Sequence, residues 1–166
     1  MAYASSKGTA PAAAEHGSVG ASLAGLKLPP GHRRLEEEIA NLPIRAVICE
    51  AVSSLVEGPS LVLEASPGAG KTTTLPLAVL LSPSSRSWLR DDQRIIVLEP
   101  RRLAARRAAA RMASLLEEEV GERVGYRVRL DAKCSPDTRI EAVTDGILLA
   151  RLRCEPLMPP FCPCVR

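Results

Sequence analysis

The residues with the clearest chemical potential stand together in one glycine-rich stretch. Residues 64–74 read EASPGAGKTTT and follow a short apolar run at residues 61–63. From Ala65 to Thr72 the stretch fits the phosphate-binding loop pattern GxxxxGK(S/T), except that alanine occupies the first glycine position. Glycines let the backbone N–H groups of residues 68–72 approach phosphate oxygens, and a helix that begins there adds its dipole. The stretch therefore predicts a nucleotide site, and the alternative is an ordinary glycine turn.

Two side chains of this loop have roles that the pattern itself predicts. Lys71 would neutralise the β- and γ-phosphates of a bound nucleotide, and the Thr72 hydroxyl would ligate Mg²⁺. The residues expected around the phosphates are Ala65, Ser66, Pro67, Gly68, Ala69, Gly70, Lys71, Thr72 and Thr73. Kinases, GTPases, transporters and helicases share such a loop, so the loop alone does not define a function.

Strand-like and helix-like patterns alternate along the chain around this loop. The predicted strands are 61–63, 95–98, 124–129 and 139–143. The first predicted helix is capped by Asn41, has Pro43 in its first turn and apolar residues at helical spacing over 44–56, and is ended by Gly58. The other predicted helices are 72–81, 101–120 (ended by Gly121) and one that begins near Thr144. Such alternation predicts an α/β fold with a parallel sheet.

Length and composition are those of one ordinary domain. The 166 residues (17.7 kDa) are 46% hydrophobic and 25% charged, which is a globular composition. Only 2% are aromatic, which disfavours the stacking platforms of single-strand-binding sheets. A net charge of +3 is too small to indicate nucleic-acid binding unless basic residues cluster. Five cysteines, no secretory signal pattern and no apolar stretch of membrane-spanning length predict a soluble intracellular protein without a membrane partner.

The two ends of the chain differ in composition from its middle. Residues 1–40 are expected to form a disordered tail, because their Ala-, Ser- and Gly-rich sequence buries too little apolar surface. The basic, acid-poor residues 1–34 also leave open an organellar transit peptide. Residues 154–166 are rich in proline and cysteine and are expected to be unstructured. The predicted folded domain is 41–153.

Several segments together resemble one family of nucleic-acid motors. PGAGKTTTLPL, LEPRRLAARRAAARMA (98–113) and VTDGILLARL (143–152) resemble motifs I, Ia and Ib of the DEAH-box ATP-dependent helicases of superfamily 2. VGYRVRLD (124–131) and TRIEAVTDGIL (138–148) are most similar to bacterial HrpB-type helicases. The resemblance runs from about Leu42 to Arg153. It implies a partial RecA-like P-loop NTPase domain that binds ATP with Mg²⁺.

The same resemblance implies contacts with the sugar-phosphate backbone of single-stranded RNA or DNA. It assigns these contacts to Arg101, Arg102, Thr144, Asp145 and Gly146. Both sets stand where a helix is predicted to begin, and helix N-termini and cationic side chains suit phosphate. Capping of the helix alone is an equally good interpretation of Thr144. A solvated helix face is the favoured interpretation of Arg106, Arg107 and Arg111.

The family's ATPase chemistry also depends on an Asp-Glu pair that holds Mg²⁺ and polarises the attacking water. No apolar strand ending in paired acids follows Arg153 in this chain, and the second RecA-like lobe with its arginine finger has no counterpart. Glu99 is expected to be part of the motif Ia strand, and Asp91-Asp92 precede that strand at the wrong end of a parallel sheet. Zinc is not expected, since three cysteines lack a fourth ligand and a CxxC spacing: Cys154, Cys162 and Cys164.

These observations predict the N-terminal portion of the ATP-binding domain of a DEAH-box RNA helicase, which binds ATP and nucleic acid. The chain is expected to be truncated before the DEAH motif and inactive alone, so no catalytic residue is assigned. Two alternatives are a stand-alone nucleotide- or RNA-binding module and a small P-loop kinase. The kinase alternative is disfavoured because nothing in the sequence resembles a lid or an acceptor site.

Overall fold

One sheet with helices packed against it forms the part of the chain that the computed structural model describes, residues 28–58, 60–87, 89–154 and 164–165. The α-helices are α1 (Arg33–Asn41), α2 (Ile48–Glu57), α3 (Thr74–Leu81), α4 (Arg102–Leu115) and α5 (Asp145–Cys154). The strands are β1 (Ile95–Leu98), β2 (Val124–Val128), β3 (Asp131–Lys133), β4 (Ile140–Val143) and β5 (Cys164–Val165). Short 3₁₀ helices occupy Pro43–Ala46 and Pro83–Ser87. No helix in these ranges is long and apolar enough to cross a bilayer.

The sheet is mostly parallel, which confirms the predicted α/β class. Its strand order is β3-β2-β4-β1-β5. β2, β4, β1 and β5 run parallel to their neighbours, and β3 pairs with β2 in antiparallel orientation. Leu98 of β1 lies opposite Val143 of β4. The segments that follow these two strands therefore leave the same edge of the sheet side by side.

The core is aliphatic, as the low aromatic content predicts. All four residues of β4 are buried, and α4 packs against β2 and β4. The buried face of α4 carries mostly alanines together with Met112. Small side chains let a helix approach a sheet closely, and the apolar β-branched residues of β2 and β4 are buried.

Helix α4 ends earlier than the sequence predicts. The prediction extends it to Gly121, but the helix stops at Leu115. Glu117 takes a left-handed conformation (φ 58°), and the Glu118 N–H donates to the Ala113 carbonyl at 3.0 Å. This is the Schellman arrangement, which usually places glycine at the left-handed position. The prediction was wrong because a glutamate takes that position here.

The first helix of the described residues lies almost entirely inside the stretch predicted as a tail. All of helix α1 except its last residue, Asn41, lies within 1–40, and its Leu35 and Ile39 are fully buried. The predicted helix over 44–56 is interrupted at Val47, where the 3₁₀ turn gives way to α2. Residues 1–27 lie outside the described part of the chain, and so do 155–163 and 166 of the predicted C-terminal tail.

Two short segments differ from the strands that the sequence predicts. Residues 61–63, predicted as a strand, take no regular secondary structure, although Leu61 and Leu63 pack on the core and Val62 is 97% exposed. The side-chain alternation of a strand is present, but no strand of the described sheet pairs with it. Conversely, β5 lies in the predicted C-terminal tail and pairs with β1.

Candidate nucleotide and nucleic-acid sites

The backbone of the glycine-rich loop is compatible with a phosphate-binding loop. Gly68 and Gly70 have positive φ angles of 77° and 97°, a region that residues with a Cβ rarely adopt. The loop leads directly into α3, and the Thr74 N–H donates to the Gly70 carbonyl at 2.8 Å. The loop therefore precedes a helix N-terminus, as the sequence predicts.

Lys71 lies folded over its own loop. Its Nζ donates to the Ser66 carbonyl at 3.0 Å and also to the Ala65 carbonyl. The ammonium group thus holds the ends of the loop together and places a positive charge beside it. An anion bound at the loop would meet both this charge and the N–H groups of the turn, so these residues fit the phosphates of a nucleotide.

The loop is supported by residues that lie outside the phosphate-binding motif. A Cβ on Gly70 would lie 2.8 Å from Thr74 Oγ1 and 2.9 Å from Leu42 Cδ1. The Ile44 N–H donates to the Ala69 carbonyl at 3.2 Å. The segment between α1 and α2 therefore packs directly on the loop. Nothing in the local sequence signals this contact, because it joins segments far apart in the chain.

Replacing Gly70 with alanine is expected to distort the loop, whereas Gly68→Ala is a matched control. Both glycines have positive φ, so both changes strain the backbone by about 1 kcal/mol. A Cβ at Gly68 meets nothing within 4 Å, whereas a Cβ at Gly70 meets three groups. Thermal unfolding should show a larger loss of stability for Gly70→Ala, by about 1–3 kcal/mol. Equal losses would show that Gly70 is not packed as described.

The residues predicted to touch nucleic acid lie at one edge of the sheet. Arg101 and Arg102 are exposed where α4 begins, and Asp145 and Gly146 are exposed where α5 begins. The two turns follow neighbouring parallel strands, and the Glu99 N–H donates to the Val143 carbonyl at 2.9 Å. The structure thus brings these two predicted sets together. No hydrogen bond or ion pair of the described residues joins them to the glycine-rich loop.

Thr144 stands at the junction of β4 and α5. Its carbonyl accepts the N–H groups of Ile147 and Leu148 at 2.9 and 3.1 Å. Its side chain is half-buried and makes no hydrogen bond within the described residues. The hydroxyl therefore does not cap α5 in this structure, which leaves it available to a ligand.

Two of the three other arginines of α4 that were predicted to form a solvated face are exposed, and one is partly buried. Arg106 forms an ion pair with Asp131 and lies over the Tyr126 ring, 5.8 Å from its centroid. Arg111 forms an ion pair with Glu38 of α1. Arg107 is exposed. Arg107 and Arg111 are thus exposed, as a solvated face requires, whereas Arg106 is partly buried between Asp131 and Tyr126.

The acidic residues are placed unfavourably for a metal site. Glu99 is half-buried at the end of β1, while Asp91 pairs with Arg139 at 3.4 Å and Asp92 pairs with Arg90. In the ranges that the structure covers, no group of three or more His, Cys, Asp or Glu side chains could hold a metal ion. Thr72 stays the predicted Mg²⁺ ligand, and phosphate oxygens of a bound nucleotide would have to complete the shell.

A buried carboxylate that the sequence did not single out lies in the middle of β4. Glu141 is fully buried, and its Oε1 accepts hydrogen bonds from Arg127 Nε (2.8 Å) and from Arg151. Arg94 Nη1 lies 3.6 Å from Oε2. Burial alone would raise the pKa of Glu141, but the hydrogen bonds and charges of Arg151 and Arg127 outweigh it and hold the pKa below its usual range.

Solved structures share this fold. The crystal structure of the Escherichia coli DEAH/RHA helicase HrpB matches with a TM-score of 0.62 and 44% sequence identity, over 70% of this chain and 14% of that one. The ATP-dependent RNA helicase HrpB of E. coli strain K12 is 43% identical over 118 residues. The chain is homologous to part of the DEAH-box RNA helicases. The predicted RecA-like fold is confirmed by the same match.

The homology extends to eukaryotic DEAH-box helicases and covers a small part of each relative. A pre-mRNA-splicing factor ATP-dependent RNA helicase of Arabidopsis thaliana, DEAH10, is 32% identical over 75% of this chain. The chain spans 14% of the length of HrpB and 17% of that of DEAH10. No family model matches the chain.

Proposed function

We propose that this chain is the part of a DEAH-box RNA helicase that binds the phosphates of ATP and one face of a single nucleic-acid strand. The observation that carries the proposal is the loop at residues 65–73, in which two positive-φ glycines and the Lys71 ammonium converge ahead of α3. Two relatives that are named ATP-dependent RNA helicases are similar to this chain over 71% and 75% of its length. The fit of the loop to phosphate and the names of the relatives support the same function.

The proposed roles of the loop residues follow from their chemistry. Backbone N–H groups of the turn would donate to phosphate oxygens, and Lys71 would exchange its carbonyl partners for the β- and γ-phosphates. The Thr72 hydroxyl would help to hold a Mg²⁺ ion, whose positive charge would offset the negative charge of the ATP triphosphate. Only phosphate contacts are provided by these residues, so binding is expected to be weak.

The proposed strand-binding surface consists of the turn before α4 and the turn before α5. Arg101 and Arg102 supply exposed cations, and the Thr144 to Gly146 turn supplies a free hydroxyl and the N–H groups of a helix N-terminus. These groups recognise phosphate and sugar oxygens, which every strand offers. Binding is therefore expected to be insensitive to base sequence.

A second candidate is a stand-alone nucleotide- or RNA-binding module, which would use the same two sites. The ranges covered by the structure lack a cluster of acids suited to a metal ion, and this observation favours binding without turnover by residues 1–166 on their own. A small P-loop kinase is less consistent with the helicase homology.

Replacing Arg101 and Arg102 with alanine is expected to weaken RNA binding and to flatten its salt dependence. The logarithm of the binding constant falls linearly with the logarithm of the salt concentration. Each lost phosphate contact should reduce the magnitude of this slope by about 0.7, so loss of both arginines should reduce it by about 1.4. Fluorescence anisotropy of labelled oligouridine in a series of KCl concentrations measures both quantities.

The matched control replaces Arg34 and Arg45, which are exposed arginines on α1 and the first 3₁₀ helix. This variant loses the same charge but should keep the slope of the parent chain. If the salt-dependence slopes of the parent chain and both variants are equal, Arg101 and Arg102 do not contact the RNA phosphates. Labelled oligothymidine in parallel shows whether the surface distinguishes RNA from DNA.

A further inference from the structure

Helix α5 carries the proposed strand-binding turn but contributes little to the core. None of residues 145–153 is buried, and Leu149 and Leu152 are 52% and 39% exposed. Its first turn is held by the two N–H bonds to the Thr144 carbonyl. A helix with so little buried apolar surface is not fixed by packing, so its direction depends on other contacts.

One polar contact fixes α5 to the sheet. Arg151, about two turns after Thr144, donates to Glu141 Oε1, and within residues 145–153 no other side chain forms a hydrogen bond or ion pair with the described part of the chain. Glu141 stands on β4 only three positions before Thr144. The carboxylate thus joins the strand that leads into the turn to the helix that leads out of it.

The carboxylate itself is held by groups from other elements. Arg127 of β2 donates to the same Oε1 atom at 2.8 Å, and Arg94, just before β1, is 3.6 Å from Oε2. Glu141 is fully buried, whereas Arg151 keeps 21% of its side-chain surface exposed. An ion pair with one fully buried partner and a charge-assisted hydrogen bond has a more fixed geometry than an exposed pair.

The geometry points to Glu141 as a positioning residue for the Thr144 to Gly146 turn, acting through Arg151 to fix the direction of α5. The inference rests on the proposed strand-binding function of that turn. Glu141 touches no nucleic acid in this scheme. It sets where the Thr144 hydroxyl and the helix N-terminus lie relative to Arg101 and Arg102.

The substitution Glu141→Gln tests this role because electrostatics and loss of the anchor predict opposite changes in RNA affinity. It raises the net charge of the chain by one, so electrostatics alone would strengthen binding of an RNA strand. Loss of the anchor predicts the opposite result, an affinity for labelled oligouridine that is about three- to tenfold lower. Unchanged or tighter binding by a variant that unfolds at the temperature of the parent chain would overturn the inference.

Three arginine variants separate positioning from general stability and from charge. Arg151→Ala should also weaken oligouridine binding about three- to tenfold. Arg127→Ala removes a bond to the same carboxylate oxygen but leaves α5 anchored, and Arg153→Ala removes the same charge from an exposed position of α5. Both controls should bind as the parent does. Equal weakening in Arg151→Ala and Arg127→Ala would show that the network serves stability alone and would overturn the inference.

Hydrogen exchange gives a readout that does not depend on RNA. The amides of Ile147 and Leu148 should exchange about tenfold faster in Arg151→Ala and Glu141→Gln, the factor that corresponds to loss of one charge-assisted hydrogen bond. They should exchange at the parent rate in Arg127→Ala and Arg153→Ala. If the parent chain binds no oligouridine, the proposed function fails, while unchanged exchange rates in Arg151→Ala refute the anchor separately.

Discussion

Lys71→Ala is expected to abolish measurable ATP binding by the folded chain. The ammonium is the only cationic side chain of the 65–73 loop, and truncating one partner of a charge-assisted pair costs about 2–5 kcal/mol. The corresponding loss of affinity is roughly 30-fold or more, which would carry a weak site beyond detection. Isothermal titration calorimetry with ATP and Mg²⁺ measures the change.

The control for lost charge is Lys133→Ala, at an exposed lysine of β3. This variant should bind ATP as the parent chain does. Lys71→Ala should also keep the unfolding temperature of the parent to within a few degrees, because water can replace Nζ as donor to the partly exposed Ala65 and Ser66 carbonyls. Equal ATP affinity in Lys71→Ala and in the parent would show that the loop is not the nucleotide site.

The parts of the fold that the sequence predicted are those specified by local pattern. The continuous apolar run of β1 and the alternation of strand-like and helix-like segments around it were sufficient to predict a parallel sheet. The glycines and Lys71 likewise lie close together in the chain, so their arrangement follows from a short motif. Helix α1 was missed because its apolar residues Leu35 and Ile39 lie in a stretch whose composition otherwise resembles a tail.

Other features depend on contacts that no local pattern contains. The segment at residues 61–63 alternates as a strand does, yet a strand forms only where a neighbour pairs with it. Leu42, which follows α1, packs against Gly70. Glu141 is paired with arginines from three separate segments of the chain: the loop before β1, β2 and α5. In a sequence, a glutamate within a strand is normally interpreted as a solvent-facing residue. A buried, charged glutamate requires cationic partners, and the three arginines that pair with Glu141 are brought together only by the fold.

The chain of residues 1–166 alone is expected to release phosphate from ATP at the background rate, with or without RNA. Rapid phosphoryl transfer requires a held Mg²⁺, an oriented water and a cation at the developing charge. Within the described ranges, Lys71 and Thr72 are the residues suited to any of these tasks, and no acidic cluster stands beside them. An arginine finger, the further cation that the helicase resemblance assigns to a second lobe, accounts for a factor of about 10³–10⁵ in rate.

A coupled phosphate-release assay with purified chain, ATP, Mg²⁺ and oligouridine tests this expectation. The Lys71→Ala variant, prepared in the same way, sets the background from contaminating ATPases. RNA-stimulated release that is present in the parent chain and absent from Lys71→Ala would contradict the prediction. The acid responsible would then have to stand near the proposed sites, and Glu99 and Asp145 are the nearest along the chain to the strand-binding turns.

Those two acids can be separated by their positions. Glu99 is half-buried at the end of β1, and Asp145 is exposed at the start of α5. If the chain hydrolyses ATP, Glu99→Gln would abolish hydrolysis if Glu99 holds the metal ion, whereas Asp145→Asn would abolish it if the strand-binding turn supplies the ligand.

If the chain does not hydrolyse ATP, a longer protein can be made in which a segment with Asp-Glu-Ala-His and a second lobe is joined to this chain. Its ATPase activity tests whether residues 1–153 are catalytically competent. Activity that then appears and depends on Lys71 would show that the loop is catalytically competent once carboxylates and a cation are supplied.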